Sequence, residues 1–199
     1  MPYIDLHPGT PVFHCIAAEY ARLPDGTVRP TQDVAVLNDY DRDPAGKGEF
    51  RFWTQGGGKY IGESADTVRE ERLRHILSAD AYFRQVRTIP PQIYRMNVAV
   101  ETRLVSVSEA TSTAHCLAQL VALAAPISFN EATIVSDLLA VDDYRISQHF
   151  ANAIGRNGHS GLEWPSVART GGRAMFVFNL LAMISDEYFP SDLLELGQP

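Results

Sequence analysis

Ser166 stands in the run Trp164-Pro165-Ser166-Val167-Ala168-Arg169, where its hydroxyl follows a proline that denies the backbone a ladder donor. No Gly-x-Ser-x-Gly elbow surrounds it or any other serine, so its chemistry is hydrogen bonding and not nucleophilic attack. Two adjacent carboxylates, Glu70 and Glu71, follow the cap-rich run Ser64-Ala65-Asp66-Thr67. Neighbours on a helix point about 100° apart, so only one of the two faces any given pocket. Tyr60 comes directly after Gly56-Gly57-Gly58-Lys59 and reads as a strand tyrosine with its hydroxyl at a rim. The triple glycine has the look of a phosphate cradle, but neither GxGxxG nor GxxxxGK[ST] is present. Arg51 lies two residues from Glu49, and on an extended strand the two share a face, as a guanidinium with an orienting ion-pair partner would. His7, His14, His75, His115, His149 and His159 show no HxxxH, HxH or HExxH spacing, so no metal is implied.

The scaffold for these groups is an ordinary globular one. With 199 residues, 45% of them hydrophobic and 21% charged, the chain can bury a substantial core, and a single domain over residues 1–199 is expected. A net charge of −7 argues against a broad nucleic-acid surface while leaving room for one basic pocket. Cys15 and Cys116 are far apart in apolar surroundings and read as buried thiols, which suits a reducing cytoplasm. No apolar run reaches bilayer length and no signal segment opens the chain, so a soluble, unprocessed protein is expected.

Periodicity predicts the positioning elements. Pro11 to Ala17 and Lys59 to Ile61 read as strands, and a helix runs from the caps at 64–67 through Ala79. Tyr94 to Val107 alternates with period two and predicts one strand with a wetter face. Helical spacing recurs in the second half of Glu109 to Ala125, and Thr133 to Leu139 suggests a short helix or turn. Ser147 to Asn157 predicts a helix closed by Asn157-Gly158, with strands at Leu162 to Pro165 and Ala174 to Asn179. Interleaved elements of mixed spacing favour an α+β fold, a mixed sheet with flanking helices. The apolar residues between Ile184 and Leu196 offer a surface that packs on the domain or on a partner, either a second copy in a homo-oligomer or another protein.

Three ordered segments carry a family resemblance: Gly48-Glu49-Phe50-Arg51-Phe52-Trp53-Thr54-Gln55-Gly56-Gly57-Gly58-Lys59-Tyr60-Ile61-Gly62-Glu63-Ser64, its continuation through Thr67 to Glu71, and Gly161-Leu162-Glu163-Trp164-Pro165-Ser166 with Gly171-Gly172 beyond. Val12-Phe13-His14 occupies the place of the opening motif. In this order the chain resembles the RES domain, named for its Arg, Glu and Ser positions. The resemblance implies an ADP-ribosyltransferase-like fold and a toxin of a toxin-antitoxin pair that consumes NAD as substrate, without a metal. It also implies a helix-turn-helix antitoxin as partner. Degradation of NAD and transfer of ADP-ribose to a protein share the same bond cleavage, and both stay open.

Carried over residue by residue, the resemblance assigns Glu71 as the carboxylate that stabilises an oxocarbenium-like state, Tyr60 as an aromatic surface and Ser166 as a ligand hydrogen-bonding group. Glu49 falls at the family's arginine column and His14 at its opening arginine. A carboxylate in place of a guanidinium reverses the charge offered to a pyrophosphate. Arg51 and His14 are the replacements expected to contact the nucleotide, with Arg29 and Arg169 as further basic candidates. A silent binding module with the same fold is the competing expectation.

Overall fold

The computed structural model describes residues 3–16, 21–30, 33, 58–78, 92–107, 145–178 and 183–189. Their centre is one eight-stranded sheet flanked by helices. Its strands are β1 (Tyr3–Leu6), β2 (Pro11–Ile16), β3 (Lys59–Gly62), β4 (Gln92–Val98), β5 (Thr102–Ser106), β6 (Gly161–Pro165), β7 (Arg173–Val177) and β8 (Met183–Phe189). Helices α1 (Ala65–Ser78) and α2 (Arg145–Arg156) complete the described elements. The sheet order is β1-β5-β6-β7-β3-β2-β4-β8, antiparallel throughout except for the parallel pair β5 and β6. The expected α+β class with a mixed sheet is the fold observed.

Side-chain alternation sorts the sheet into two faces. One face gathers Leu6, Val12, Ile61, Met96, Val98, Leu104, Met175 and Val177 into the largest buried apolar cluster among the described residues. On the other face Val68 of α1 packs on Ile93 of β4, with Phe13, Cys15 and Ala65 against them. Ser64 starts this helix, its Oγ accepting from Thr67 N at 3.1 Å, which satisfies one of the backbone donors a helix N-terminus leaves over. The helix then crosses close over β3: a Cβ placed on Gly62 would lie 2.7 Å from Val68 Cγ1 and 3.3 Å from Thr67. Replacing Gly62 by Ala is expected to push α1 off the sheet and cost about 1–3 kcal/mol, typical of overpacking, as read from denaturant unfolding.

α2 ends as its sequence predicts. Asn157 N donates to Ala153 O at 3.2 Å, His159 N donates to Ile154 O at 3.3 Å, and Gly158 between them takes the left-handed φ of +80°. The helix leads directly into β6, and it buries Phe150, Ala151, Ala153 and Ile154.

The stretch expected as one strand over 94–107 is two. β4 stops at Val98 and β5 starts at Thr102, and they occupy distant places in the sheet, β4 between β2 and β8 and β5 between β1 and β6. The chain turns through Val100, which is 51% exposed, with Thr102 Oγ1 donating to Val100 O at 2.9 Å. No glycine or proline marks this turn, and the period-two pattern continues across it. At the sheet's end, β1 is tied to β5 by Arg103, which donates to both Asp5 oxygens at 2.7 and 3.0 Å. These two hydrogen bonds hold the Asp5 carboxyl below its usual titration range and push the Arg103 guanidinium above its own. The expectations for 109–125 and 133–139 fall outside the described residues.

Candidate functional site

The cleft lies on the α1 face of the sheet. Its walls include Cys15 of β2, Tyr60 of β3, Trp164 of β6, and Thr67, Val68 and Glu71 of α1, and it encloses about 90 Å³. Each strand residue is brought there by register. Tyr60 pairs with Phe176 of β7, which pairs in turn with Leu162 of β6, and Trp164, two residues on from Leu162, emerges on the same face as Tyr60 and Phe176. The Tyr60 ring meets Phe176 at 4.9 Å between centroids and stands edge-on to Trp164 at 5.6 Å. Such contacts fix an aromatic wall whose positions are set by the sheet.

Glu71 faces this wall from the second turn of α1. Its Oε1 accepts from Ser166 Oγ at 2.6 Å, from Val167 N at 3.0 Å and from Ala168 N at 3.3 Å. A carboxylate and a hydroxyl 95 positions apart in the chain are therefore one hydrogen-bonded unit. Ser166 owes its orientation to the turn between β6 and β7. Its N donates to Gly172 O at 2.8 Å, Gly172 N closes on Arg169 O at 3.1 Å, and its Oγ accepts from Arg169 N at 3.0 Å while donating to Glu71. Glu70 points elsewhere and pairs with Arg69 at 3.3 Å on the outer side of the helix.

Of the residues named from the sequence, the structure brings Glu71, Ser166 and Tyr60 to this place, and it does not bring His14. His14 is 2% exposed and projects from the opposite face of β2, level with Tyr94. Its Nδ1 lies 2.6 Å from the Tyr60 carbonyl. A carbonyl only accepts, so Nδ1 carries the proton, and the imidazole braces the strand that presents the tyrosine. Arg29 sits on the segment beyond β2, where its carbonyl accepts from Tyr94 Oη at 3.5 Å. Arg169 reaches the start of α1. Arg51 and Glu49 lie outside the described residues.

One residue of the cleft was not named from the sequence. Arg72, directly after Glu71, lines the same cavity. Its signal was present as a place on the helix, but Arg69, Arg72 and Arg74 stand close to Glu70 and Glu71 there, and the apolar positions Val68, Leu73, Ile76 and Leu77 do not mark which charge turns inward. The groups gathered here suit an anionic, ring-bearing small molecule: a carboxylate, a hydroxyl, an aromatic wall and one guanidinium. Among the described residues no three His, Cys, Asp or Glu side chains converge as a metal site would require.

No known protein-family profile matches the chain, and no curated protein matches its sequence. Its fold does have a counterpart. A chain in the crystal structure of the M. tuberculosis MbcT-MbcA toxin-antitoxin complex superposes with a TM-score of 0.61 over 96% of this chain and 90% of the other, at 10% identity. The fold that positions Tyr60, Glu71 and Ser166 is thus one this chain has in common with that solved structure.

Proposed function

We propose that this protein is a RES-like toxin that binds NAD and cleaves its nicotinamide-ribose bond. The observation that carries the reading is the 2.6 Å bond from Ser166 Oγ to Glu71 Oε1 beside the Tyr60 wall, which joins three residues that the motif resemblance assigns to one site. Glu71 faces positive charge as it develops on the ribose when the C–N bond breaks and its electron pair leaves with nicotinamide. Water, phosphate or a protein nucleophile then captures the ribosyl carbon. Capture by water releases a proton and gives ADP-ribose. Ser166 holds the carboxylate in place, and Tyr60 with Trp164 supplies an apolar aromatic corner for the nicotinamide end.

Arg72 is the group proposed to meet the pyrophosphate, a role for which a guanidinium is well shaped. Replacing it by Ala is expected to raise KM for NAD about tenfold or more, the scale of hydrogen bonds to charged groups, with kcat less affected. Likeness of fold to a chain of a toxin-antitoxin complex supports an antitoxin partner for this chain, proposed to be of the helix-turn-helix type.

The test is incubation of the full chain with NAD, following nicotinamide release with and without inorganic phosphate, and label transfer from NAD to cell extract. Release without transfer supports degradation, and transfer to a protein supports ADP-ribosylation. Absence of both NAD binding and turnover in every arm overturns the proposal.

A further inference from the structure

Two side-chain links join the Ser166 turn to α1. Glu71 makes the first, through Ser166 Oγ, Val167 N and Ala168 N. Arg169 makes the second: its Nη1 lies 3.0 Å from Asp66 Oδ2 and donates to Ser64 Oγ at 3.3 Å. Ser64 is the cap of α1 and Asp66 belongs to its first turn, so the guanidinium is anchored where the helix itself is anchored. Arg169 lies three positions after Ser166, and its amide is one of the two turn amides that fix Ser166 Oγ from behind.

We infer that Arg169 is a positioning residue that keeps the Ser166 turn docked on α1 while Glu71 is engaged with substrate. This rests on the reaction proposed above. The reasoning starts from a conflict in the demands on Glu71. Its Oε1 accepts three bonds from the turn, yet the same carboxylate has to face the charge that forms on the ribose. As it does so, its hold on the turn weakens. The link through Arg169 does not involve Glu71 and persists through that moment. Arg69 does not substitute for it, because its 3.3 Å pair with Asp66 stays within the helix and does not reach the turn.

The link is poorly placed to serve global stability. The side chains of Arg169 and Asp66 are 37% and 52% exposed, and ion pairs so open to water add little to folding. Local registration is what it offers. A guanidinium with two partners fixes both position and angle, which an ammonium on a flexible stem does less well.

Steady-state nicotinamide release by the full chain, compared with amide hydrogen exchange of Val167 and Ala168 in the absence of ligand, tests the inference. Arg169→Ala is expected to lower kcat roughly ten- to hundredfold, the penalty of slight misplacement, with KM for NAD and the melting temperature unchanged. Arg169→Lys recovers part of the loss. Exchange at the two amides is faster in Arg169→Ala than in wild type, and faster again when Glu71→Gln is added. Wild-type kcat together with wild-type exchange in Arg169→Ala overturns the inference. So does a rise in KM alone, which would place Arg169 on the substrate. If the wild type itself releases no nicotinamide, the proposed reaction fails, and the exchange comparison alone then decides whether the tether exists.

Discussion

Glu71→Gln is expected to reduce nicotinamide release from NAD about 10²–10³-fold while the protein stays folded, the scale seen when one transition-state electrostatic group is lost. The argument turns on what the amide keeps. Its oxygen still accepts from Ser166 Oγ, Val167 N and Ala168 N, so the turn remains joined to α1, but the negative charge that faces the ribose is gone. Charged acceptors contribute more than neutral ones, and the change is expected to cost about 1 kcal/mol of stability, small beside the kinetic loss. Glu70→Gln provides the control, since Glu70 pairs with Arg69 outside the cleft and its loss leaves turnover intact. Equal rates for wild type and Glu71→Gln, with folding verified by melting, would remove this carboxylate from the reaction.

Phe176→Ala is expected to have the largest effect on stability. Phe176 is 2% exposed in the central strand β7, its ring contacts Tyr60 at 4.9 Å and Phe178 at 5.6 Å, and its neighbours are closed around it. A Cβ on Gly58 would lie 2.5 Å from the ring, which shows how tightly the backbone just before β3 approaches. Truncation leaves a cavity under strands fixed on both sides, where collapse is limited, and about 3–5 kcal/mol is expected to be lost. For a chain of this size that corresponds to a melting temperature lower by roughly 6–20 °C. Phe176→Leu should recover most of the stability while still loosening the Tyr60 ring, so a raised KM in a well-folded Phe176→Leu chain would tie the aromatic wall to substrate binding. A melting temperature for Phe176→Ala within 2 °C of wild type, about the smallest shift one kcal/mol produces, would contradict this packing account.

Much of the scaffold was legible because the relevant signals are local. Pro11 and the apolar run after it, the caps at Ser64 to Thr67, and Asn157-Gly158 each specify an element from a few adjacent residues, and β2, α1 and α2 follow. The Glu71 and Ser166 candidates were legible for a different reason, through flanking runs that resemble a known arrangement. What stayed hidden depended on knowing which face is which. The period-two pattern from Tyr94 onward places side chains on alternate faces but carries no mark for the turn at Val100, so one strand was expected where two form. His14 follows an apolar pair in β2 as a ligand residue would, and only the pairing of β2 with β3 and β4 shows that it lies on the sheet face opposite the Tyr60 ring. Arg72 was hidden by the dense charge of α1, where either sign occupies nearly every face. Arg51 and Glu49 fall outside the described residues.

The order of the strands has a further consequence for how the chain reaches this state. β6 and β7 come from the last fifth of the chain, yet they stand in the middle of the sheet, between β5 and β3. Without them β1 and β5 form one fragment and β3, β2 and β4 another, with no pairing between the two. During synthesis both fragments wait with unpaired edges for a hairpin still to be made, and the long loop closures involved make for slow folding. Glu71 emerges long before Ser166, so the paired site comes into being only when that hairpin inserts. The site is chemically incomplete until β6 and β7 are in place.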